Sequence, residues 1–522
     1  MLLLGDILRR HARTRANKLA YVMGSTRVTY AAFHAHSNRL ARALRTLGVE
    51  RGDRVAVWAP NRAEYPLLYF AAIKLGAVLV PVNARFTAEE VAFVVGHAEA
   101  ETLVAAPDFS ALISGLRSTD RLPQVKRFLG LGAEQSGAQP SLNLLARAES
   151  ADDVVSDVDE NDPHVMLYTS GTTGSPKGTL LSQRSYFLQA TTSHLQLGVS
   201  EDDVALSMFP MFHMGGWALP LGFWHTGGSV VIMPKADPRA MLEAIKRERV
   251  TYLYAVPTVY AAMLAQPDFA RFDVSSLRLI ASGTAAMTAA QVHDIRKRFG
   301  CNNMFIIYGS TEAGPVSVLR PADVSRKPET VGQPYLDVDV RLLDDSGHDV
   351  ASGAVGEIAV RSEFTMRSYW HNPDETTRTI RDGWVLTGDL GAFDADGFLS
   401  IVGRRKEVIR SAGENIFPAE IERVLLTHPA IREAAVVGVP DVQWGEAVAV
   451  AVVLHDGARL TPDAVVEHVR AHLASYKKPR YVYFFIGLPR TASSQQVQKP
   501  LLRELILERV ASGGADTGGA TG

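Results

Sequence analysis

The stretch Tyr168-Thr-Ser-Gly-Thr-Thr-Gly-Ser-Pro-Lys-Gly178 gathers small side chains, hydroxyls and one cation. Glycines let a backbone come close to a polyphosphate, successive N–H groups and hydroxyls supply donors, and a lysine answers the negative charge. A Walker-type loop needs Gly-Lys followed by Ser or Thr after four spacer residues. Lys177 instead stands between Pro176 and Gly178, which excludes that motif. A plain flexible linker is a poor account of so many donors directly after the apolar run Val165–Tyr168. The residues expected around phosphates are therefore Thr169, Ser170, Gly171, Thr172, Thr173, Gly174 and Lys177.

A phosphate cradle needs rigid elements on both sides, and the flanking sequence supplies their pattern. Arg54–Trp58 reads as a buried strand, Asn61–Leu75 as a helix and Ala77–Val82 as the next strand. Thr87-x-x-Glu90 is a capping box, and Glu101–Ala105 reads as the strand after its helix. The alternation resumes at Val204–Met208, Ser229–Met233, Thr251–Ala255 and Leu277–Ala281, which predicts an α/β fold with helix-covered parallel sheets. From Val331 to Val402 short strands and Asp-Gly turns predict a small antiparallel, β-barrel-like unit. A helix starting at Pro418, strands at Ala434–Val439 and Ala447–Leu454, and a helix over Pro462–Leu473 predict a small α+β domain. The expected division is a large domain over 1–404, a small mobile domain over 405–511 and a disordered tail over 512–522.

Composition narrows the class further. A chain of 522 residues exceeds what one core usually serves. A formal net charge of -2 gives no sign of nucleic acid or an anionic membrane as partner. The single cysteine, Cys301, excludes an intramolecular disulfide and a Cys-rich metal site. At the start the apolar residues precede Arg9 and Arg10, the reverse of a secretory signal, and Leu67–Val82 is too short to span a bilayer. These features predict a soluble, cytoplasmic protein without a membrane span.

Beyond the loop, further motifs fall in a fixed order. They are Pro210-Met-Phe-His-Met-Gly-Gly216, Ser282-Gly-Thr-Ala285, Tyr308-Gly-Ser-Thr-Glu312, Val331-Gly-Gln-Pro334, Thr387-Gly-Asp389, Gly403-Arg404 and Gly413-Glu-Asn415. Together with Thr169–Gly178 they resemble the adenylate-forming superfamily of acyl-CoA synthetases, luciferases and peptide-synthetase adenylation domains. The texture is most similar to freestanding fatty- and aryl-acid CoA ligases. The resemblance runs from about residue 5 to 510.

It implies ATP and Mg2+ as cofactors, leaves room for coenzyme A, and gives each residue a role. Glu312 would hold the metal, Thr311 the α-phosphate, and Tyr308 with Gly309 and the loop Gly283-Thr284-Ala285 the adenine side. Asp389 would bind the ribose, Arg404 the same ribose or the phosphates, Lys406 would be the hinge, and His213 would gate or orient the acid. The acid pocket is expected around Phe212–Trp217, Trp224, Tyr254–Val259 and Ser282–Met287, with Trp217, Trp224 and Met287 pointing to an apolar or aromatic substrate. The implied partners are a small-molecule acid and ATP, then coenzyme A or another small acceptor; a homo-oligomer is left open.

Two smaller departures are Gln183 and Thr284, where the family often has His and Gly. The larger one lies near the C-terminus. There the family carries a lysine that contacts the reacting carboxylate during adenylation. This chain reads Arg490-Thr-Ala-Ser-Ser-Gln-Gln-Val-Gln-Lys-Pro500, with one extra residue and Gln496 at the lysine position. An engineered change, a natural relative with other chemistry such as nitrite activation and diazotisation of an aromatic amine, and a non-catalytic nucleotide binder all remain open. The leading expectation is ATP-dependent formation of an acyl-adenylate and its transfer to coenzyme A.

Overall fold

The computed structural model describes residues 2–132, 140–154, 156–169, 176–285, 287–411, 414–490 and 497–511. The chain divides into two compact units, residues 1–340 with 360–387, and residues 341–359 with 388–522. The first contains two large mixed sheets, and the expected α/β class holds.

One sheet has seven strands in the order Ser368–Tyr369, Lys177–Ser182, Pro163–Thr169, Val78–Val82, Arg54–Trp58, Thr102–Ala105, Arg127–Gly130. The last five run parallel, whereas the first two pairings are antiparallel. Its helix-covered face is dry: Val78, Val80 and Val82 pack with Val91, Val94 and Val95 of the capped helix Ala88–His97. The capping box at Thr87 and Glu90 forms as read.

The other sheet has nine strands, ordered Gln333–Pro334, Gly314–Leu319, Met304–Ser310, Leu279–Gly283, Tyr252–Tyr254, Val204–Ser207, Ser229–Ile232, Leu19–Met23, Thr26–Thr29. Parallel pairing runs from Met304–Ser310 to Leu19–Met23, and antiparallel strands close both edges.

One helix departs from its predicted bounds. The helix expected from Asn61 begins at Tyr65, with Pro66 in its first turn. Asn61 is buried and otherwise engaged: its amide donates to Phe209 O (3.0 Å) and Met233 O (2.9 Å), and its Oδ1 accepts from Met211 N (2.8 Å). Three satisfied bonds in a dry site outweigh an extra helical turn.

In the second unit, the strands Glu414–Ile416, Ile409–Ser411, Gly445–Leu454, Ile431–Asp441 and Tyr481–Phe484 form one sheet. The helices Pro418–Leu425 and Pro462–His472 bury Ile421, Leu425, Val465 and Val469 against it. Among the described residues no helix is long and apolar enough to cross a membrane.

The strand that leads into the phosphate loop carries a buried histidine. The ring of His164 is fully buried, 3.0 Å from the Tyr69 hydroxyl and edge-on to Tyr186. Burial holds its pKa down to about 3 against 6.5 for a free imidazole. The folded state therefore binds fewer protons than the unfolded chain between those values, so stability falls as pH drops below 6.5. At pH 5 this single residue is expected to cost about 2 kcal/mol relative to pH 7 or above. His11, His34 and His225, also lowered chiefly by burial, act in the same direction. Denaturant titrations at pH 7 and pH 5 test this: His164→Phe should lose less stability between them than the unaltered protein.

Candidate active site

The two ends of the phosphate loop are held by strand pairing. Pro163–Thr169 and Lys177–Ser182 are antiparallel with Thr169 opposite Lys177. Ser170, Gly171, Thr172, Thr173 and Gly174 lie outside the described residues. The flank before it is braced as well: the Tyr168 hydroxyl is 2.8 Å from His97 Nδ1, and Trp370 Nε1 donates to His97 O at 3.0 Å.

Glu312 stands on the tight connection between the strands Met304–Ser310 and Gly314–Leu319. Ser310 Oγ accepts from Ala313 N (3.1 Å) and Glu312 O from Met366 N (2.8 Å), which fixes the turn. The Glu312 side chain is half-buried and its Oε1 accepts from two hydroxyls, Thr169 Oγ1 at 3.3 Å and Tyr369 Oη at 3.1 Å. Thr311 beside it is likewise half-buried. The structure thus brings Thr169 and Glu312 into contact although they are 143 residues apart.

Lys177 reaches the same place from the other side. Its side chain is only 8% exposed, it pairs with Glu375, and its Nζ lies 5.2 Å from the centre of the Tyr369 ring. Tyr369 therefore touches both the carboxylate and the ammonium. Burial, then the charge of Glu312, raises the phenol of Tyr369 far above its ordinary range, so it remains a hydrogen-bond donor. The hydrogen bond from Lys177 holds the Glu375 carboxyl below its usual range. Neither Tyr369 nor Glu375 stood in any recognised motif. The available clue was Tyr369-Trp-His-Asn-Pro-Asp-Glu375, in which Asn-Pro marks a helix start and places Glu375 at its third residue.

At the ends of the neighbouring strands Leu279–Gly283 and Met304–Ser310, Gly283 and Gly309 answer to close approach. A Cβ at Gly283 would stand 2.3 Å from Ile307 O and 2.4 Å from the Tyr254 hydroxyl; at Gly309 it would stand 2.3 Å from Gly314 O. Gly283 pairs with Ile307, which sets Thr284 and Ala285, both exposed, next to the half-buried Tyr308. Thr284 has φ +68°, a left-handed conformation that a β-branched residue adopts only under strain. Thr284→Gly should release roughly 1–2 kcal/mol of strain, offset in part by the freedom glycine adds to the unfolded chain. The expected net is a gain of up to about 1 kcal/mol, read as a higher midpoint in denaturant unfolding.

His213 is half-buried just before the helix Gly215–Thr226, with its ring 4.8 Å from Phe212. Asn61 clamps Phe209 and Met211 and so positions this loop, a role the motif did not show. The expected pocket wall needs correction at Trp224. Its ring packs edge-on to Phe33, Phe70 and Tyr21 and its Nε1 donates to Ala20 O (2.9 Å), so it belongs to the core. Trp217 is fully buried and stacked on Tyr69. Tyr254, edge-on to Phe209, lies against Gly283, and Met287 is a further buried apolar group of the expected wall. Gln183, the family's frequent histidine, is buried between Leu4 N and Ile73 O, its two side-chain partners.

In the second unit Asp389 and Arg404 face each other across an antiparallel pair and form an ion pair at 2.7 Å. Asp389 is buried and Arg404 exposed, so the carboxylate is oriented and the guanidinium is accessible. Gly413 and Gln496 lie outside the described residues. Lys499 is held in two ion pairs: its Nζ is 2.8 Å from both Glu407 and Glu422.

A mixed α/β architecture holds Thr169 and Lys177 at the two ends of a Gly/Thr loop, with the Glu312 carboxylate beside Thr169, an arrangement compatible with an adenylate-forming ligase. The family comparisons agree, and the chain belongs to the AMP-binding enzyme family. That family's model matches residues 8–370, and the model of the AMP-binding enzyme C-terminal domain matches 420–495. A feruloyl-CoA synthase from Amycolatopsis sp is 36% identical over 492 residues, 93% of this chain and 96% of the relative. An indoleacetate–CoA ligase from Aromatoleum aromaticum is 36% identical over 510 residues, 97% of this chain and 98% of the relative. Among solved structures, the anthranilate CoA ligase AuaEII in complex with anthranoyl-AMP has a TM-score of 0.90 at 30% identity, covering 98% of each chain.

Proposed function

We propose that this ligase activates an aromatic or arylalkanoic carboxylic acid with ATP and passes the acyl group to coenzyme A. The observation that carries the reading is the convergence of Thr169, Glu312 and Lys177 around Tyr369. That arrangement offers one anionic and one cationic group where a phosphate chain needs a metal ligand and a counter-charge. The choice of acid is supported by what the relatives are named for and by the apolar groups Phe209, Phe212, Tyr254 and Met287.

A carboxylate is a poor acyl donor because it is anionic and has no leaving group. Attack of its oxygen on the α-phosphorus of ATP expels pyrophosphate and leaves a mixed anhydride. The coenzyme A thiol, losing its proton, then attacks the carbonyl carbon, and AMP departs with the anhydride oxygen. Lys177 and Thr311 would hold phosphate oxygens, and His213 would face the acid. The half-buried Glu312, set among the hydroxyls of Thr169 and Tyr369, fits the oxygen donors that Mg2+ takes. Bound there, the ion would neutralise phosphate charge. Asp389, oriented by Arg404, would accept the ribose hydroxyls.

Pyrophosphate release across ferulate, indoleacetate, anthranilate, fatty acids and nitrite, each with and without coenzyme A, tests the proposal. Coenzyme A-dependent acyl-CoA from an aromatic acid is the expected result. Turnover confined to nitrite with an arylamine, or no pyrophosphate from any acid, would overturn it.

A further inference from the structure

We propose that Tyr369 and Glu375 are the positioning residues of the phosphate site: Tyr369 orients the carboxylate of Glu312, and Glu375 sets the place of the Lys177 ammonium. The inference rests on the function proposed above and assigns roles to two residues outside its motifs.

The geometry follows from strand register. Ser368–Tyr369 adds to the edge of the phosphate-loop sheet, with Tyr369 opposite Thr179. Side chains alternate along a strand, so Thr179 and Lys177 share a face and Tyr369 lies diagonally beside Lys177. This placement puts the ring 5.2 Å from Nζ, within cation–π range, and carries the hydroxyl on to Glu312 Oε1 at 3.1 Å. One rigid ring therefore sets the spacing between the anionic and the cationic group.

Glu375 completes the support. A nearly buried ammonium needs a counter-charge, and a lysine stem has four rotatable bonds to be held. The counter-charge comes from a short helix fixed at its start: Asn372 Oδ1 accepts from Glu375 N at 3.1 Å, and Thr376 Oγ1 accepts from Tyr369 N at 3.0 Å. That second bond ties the helix back to the tyrosine. Arg378 is a further cation near Glu375, at 3.6 Å. The pair is thus built from one continuous segment, Tyr369 to Arg378, braced against itself. Lys177 can donate to a phosphate and to Glu375 at once because an ammonium has three donors.

The test uses the full-length protein with ATP and Mg2+ as probes. Equilibrium binding of ATP is measured without acid, and steady-state KM values for ATP and for the acid are measured separately. Glu375→Gln should weaken ATP binding and raise the KM for ATP by about tenfold or more, with the KM for the acid unchanged. Glu375→Asp, which keeps the charge, should recover part of the loss. Tyr369→Phe keeps the ring and should raise the Mg2+ concentration needed for half-maximal ATP binding. ATP binding that is unchanged or tighter in folded Glu375→Gln and Tyr369→Phe overturns the inference, as does a loss confined to kcat. If the unaltered protein binds ATP but releases no pyrophosphate, the proposed function fails while the binding series still decides this one. No ATP binding at all sinks both.

Discussion

Glu312→Gln is expected to slow acyl-adenylate formation by about 10²- to 10³-fold, the usual cost of removing one charged group aimed at a transition state. The substitution is chosen to separate charge from packing. A glutamine oxygen can still accept from Thr169 Oγ1 and Tyr369 Oη, the two donors now on Glu312 Oε1, so the turn at 311–313 keeps its contacts. The backbone bond from Met366 N to Glu312 O is untouched. What disappears is the negative charge that a hard cation requires. The two half-reactions should therefore part company. Pyrophosphate release from ATP and acid falls, whereas conversion of supplied acyl-adenylate to acyl-CoA, in which no pyrophosphate leaves, stays within a few-fold. Equal losses in both halves, or a lowered unfolding midpoint, would mean that Glu312 serves the fold rather than the metal.

How much of this was legible beforehand depends on how far each constraint reaches along the chain. The α/β class was readable because burial on both faces of a parallel sheet writes apolar runs such as Val55–Trp58 and Val78–Val82 into contiguous sequence. The Gly/Thr loop stood out because small and hydroxylated residues at successive positions form a local signature that needs no distant partner to be seen. Tyr369 and Glu375 were not, since their partners lie 57 and 198 residues away and tyrosine and glutamate carry no spacing signature. Trp224 shows the opposite error. An aromatic residue near a site motif was read as pocket wall, but a large indole is as readily used to fill the space between Phe33 and Phe70. The late start of the helix at Tyr65 has the same origin. Asn61 spends its hydrogen-bonding capacity on Phe209, Met211 and Met233, and no local pattern could show those partners.

The Gln496→Lys variant should move activity in the other direction, raising adenylation of an aromatic acid by about 10²-fold, because it restores a full positive charge at the position where the family resemblance implies a lysine that contacts the reacting carboxylate. The surrounding framework can take the change. The residues on either side of 491–496 are fixed by the antiparallel bridge between Arg490 and Val497, by Gln498 Nε2 donating to Arg490 O (3.0 Å) and by Gln498 N donating to Pro489 O (2.8 Å). Arg490 is anchored on Glu433, and Lys499 on Glu407 and Glu422. A substitution at 496 removes none of these contacts, so the unfolding midpoint should stay where it is. Lys499 cannot make up for the missing lysine, since its ammonium is already neutralised by two carboxylates at 2.8 Å. Because the segment holds one residue more than the family pattern, Gln495→Lys is the matched control. A gain at 496 alone places the catalytic position there, and a gain at 495 alone moves the alignment by one. No gain at either would mean that this chain supplies the charge from another residue, and pyrophosphate release at a rate typical of the family in the unaltered protein would lead to the same conclusion.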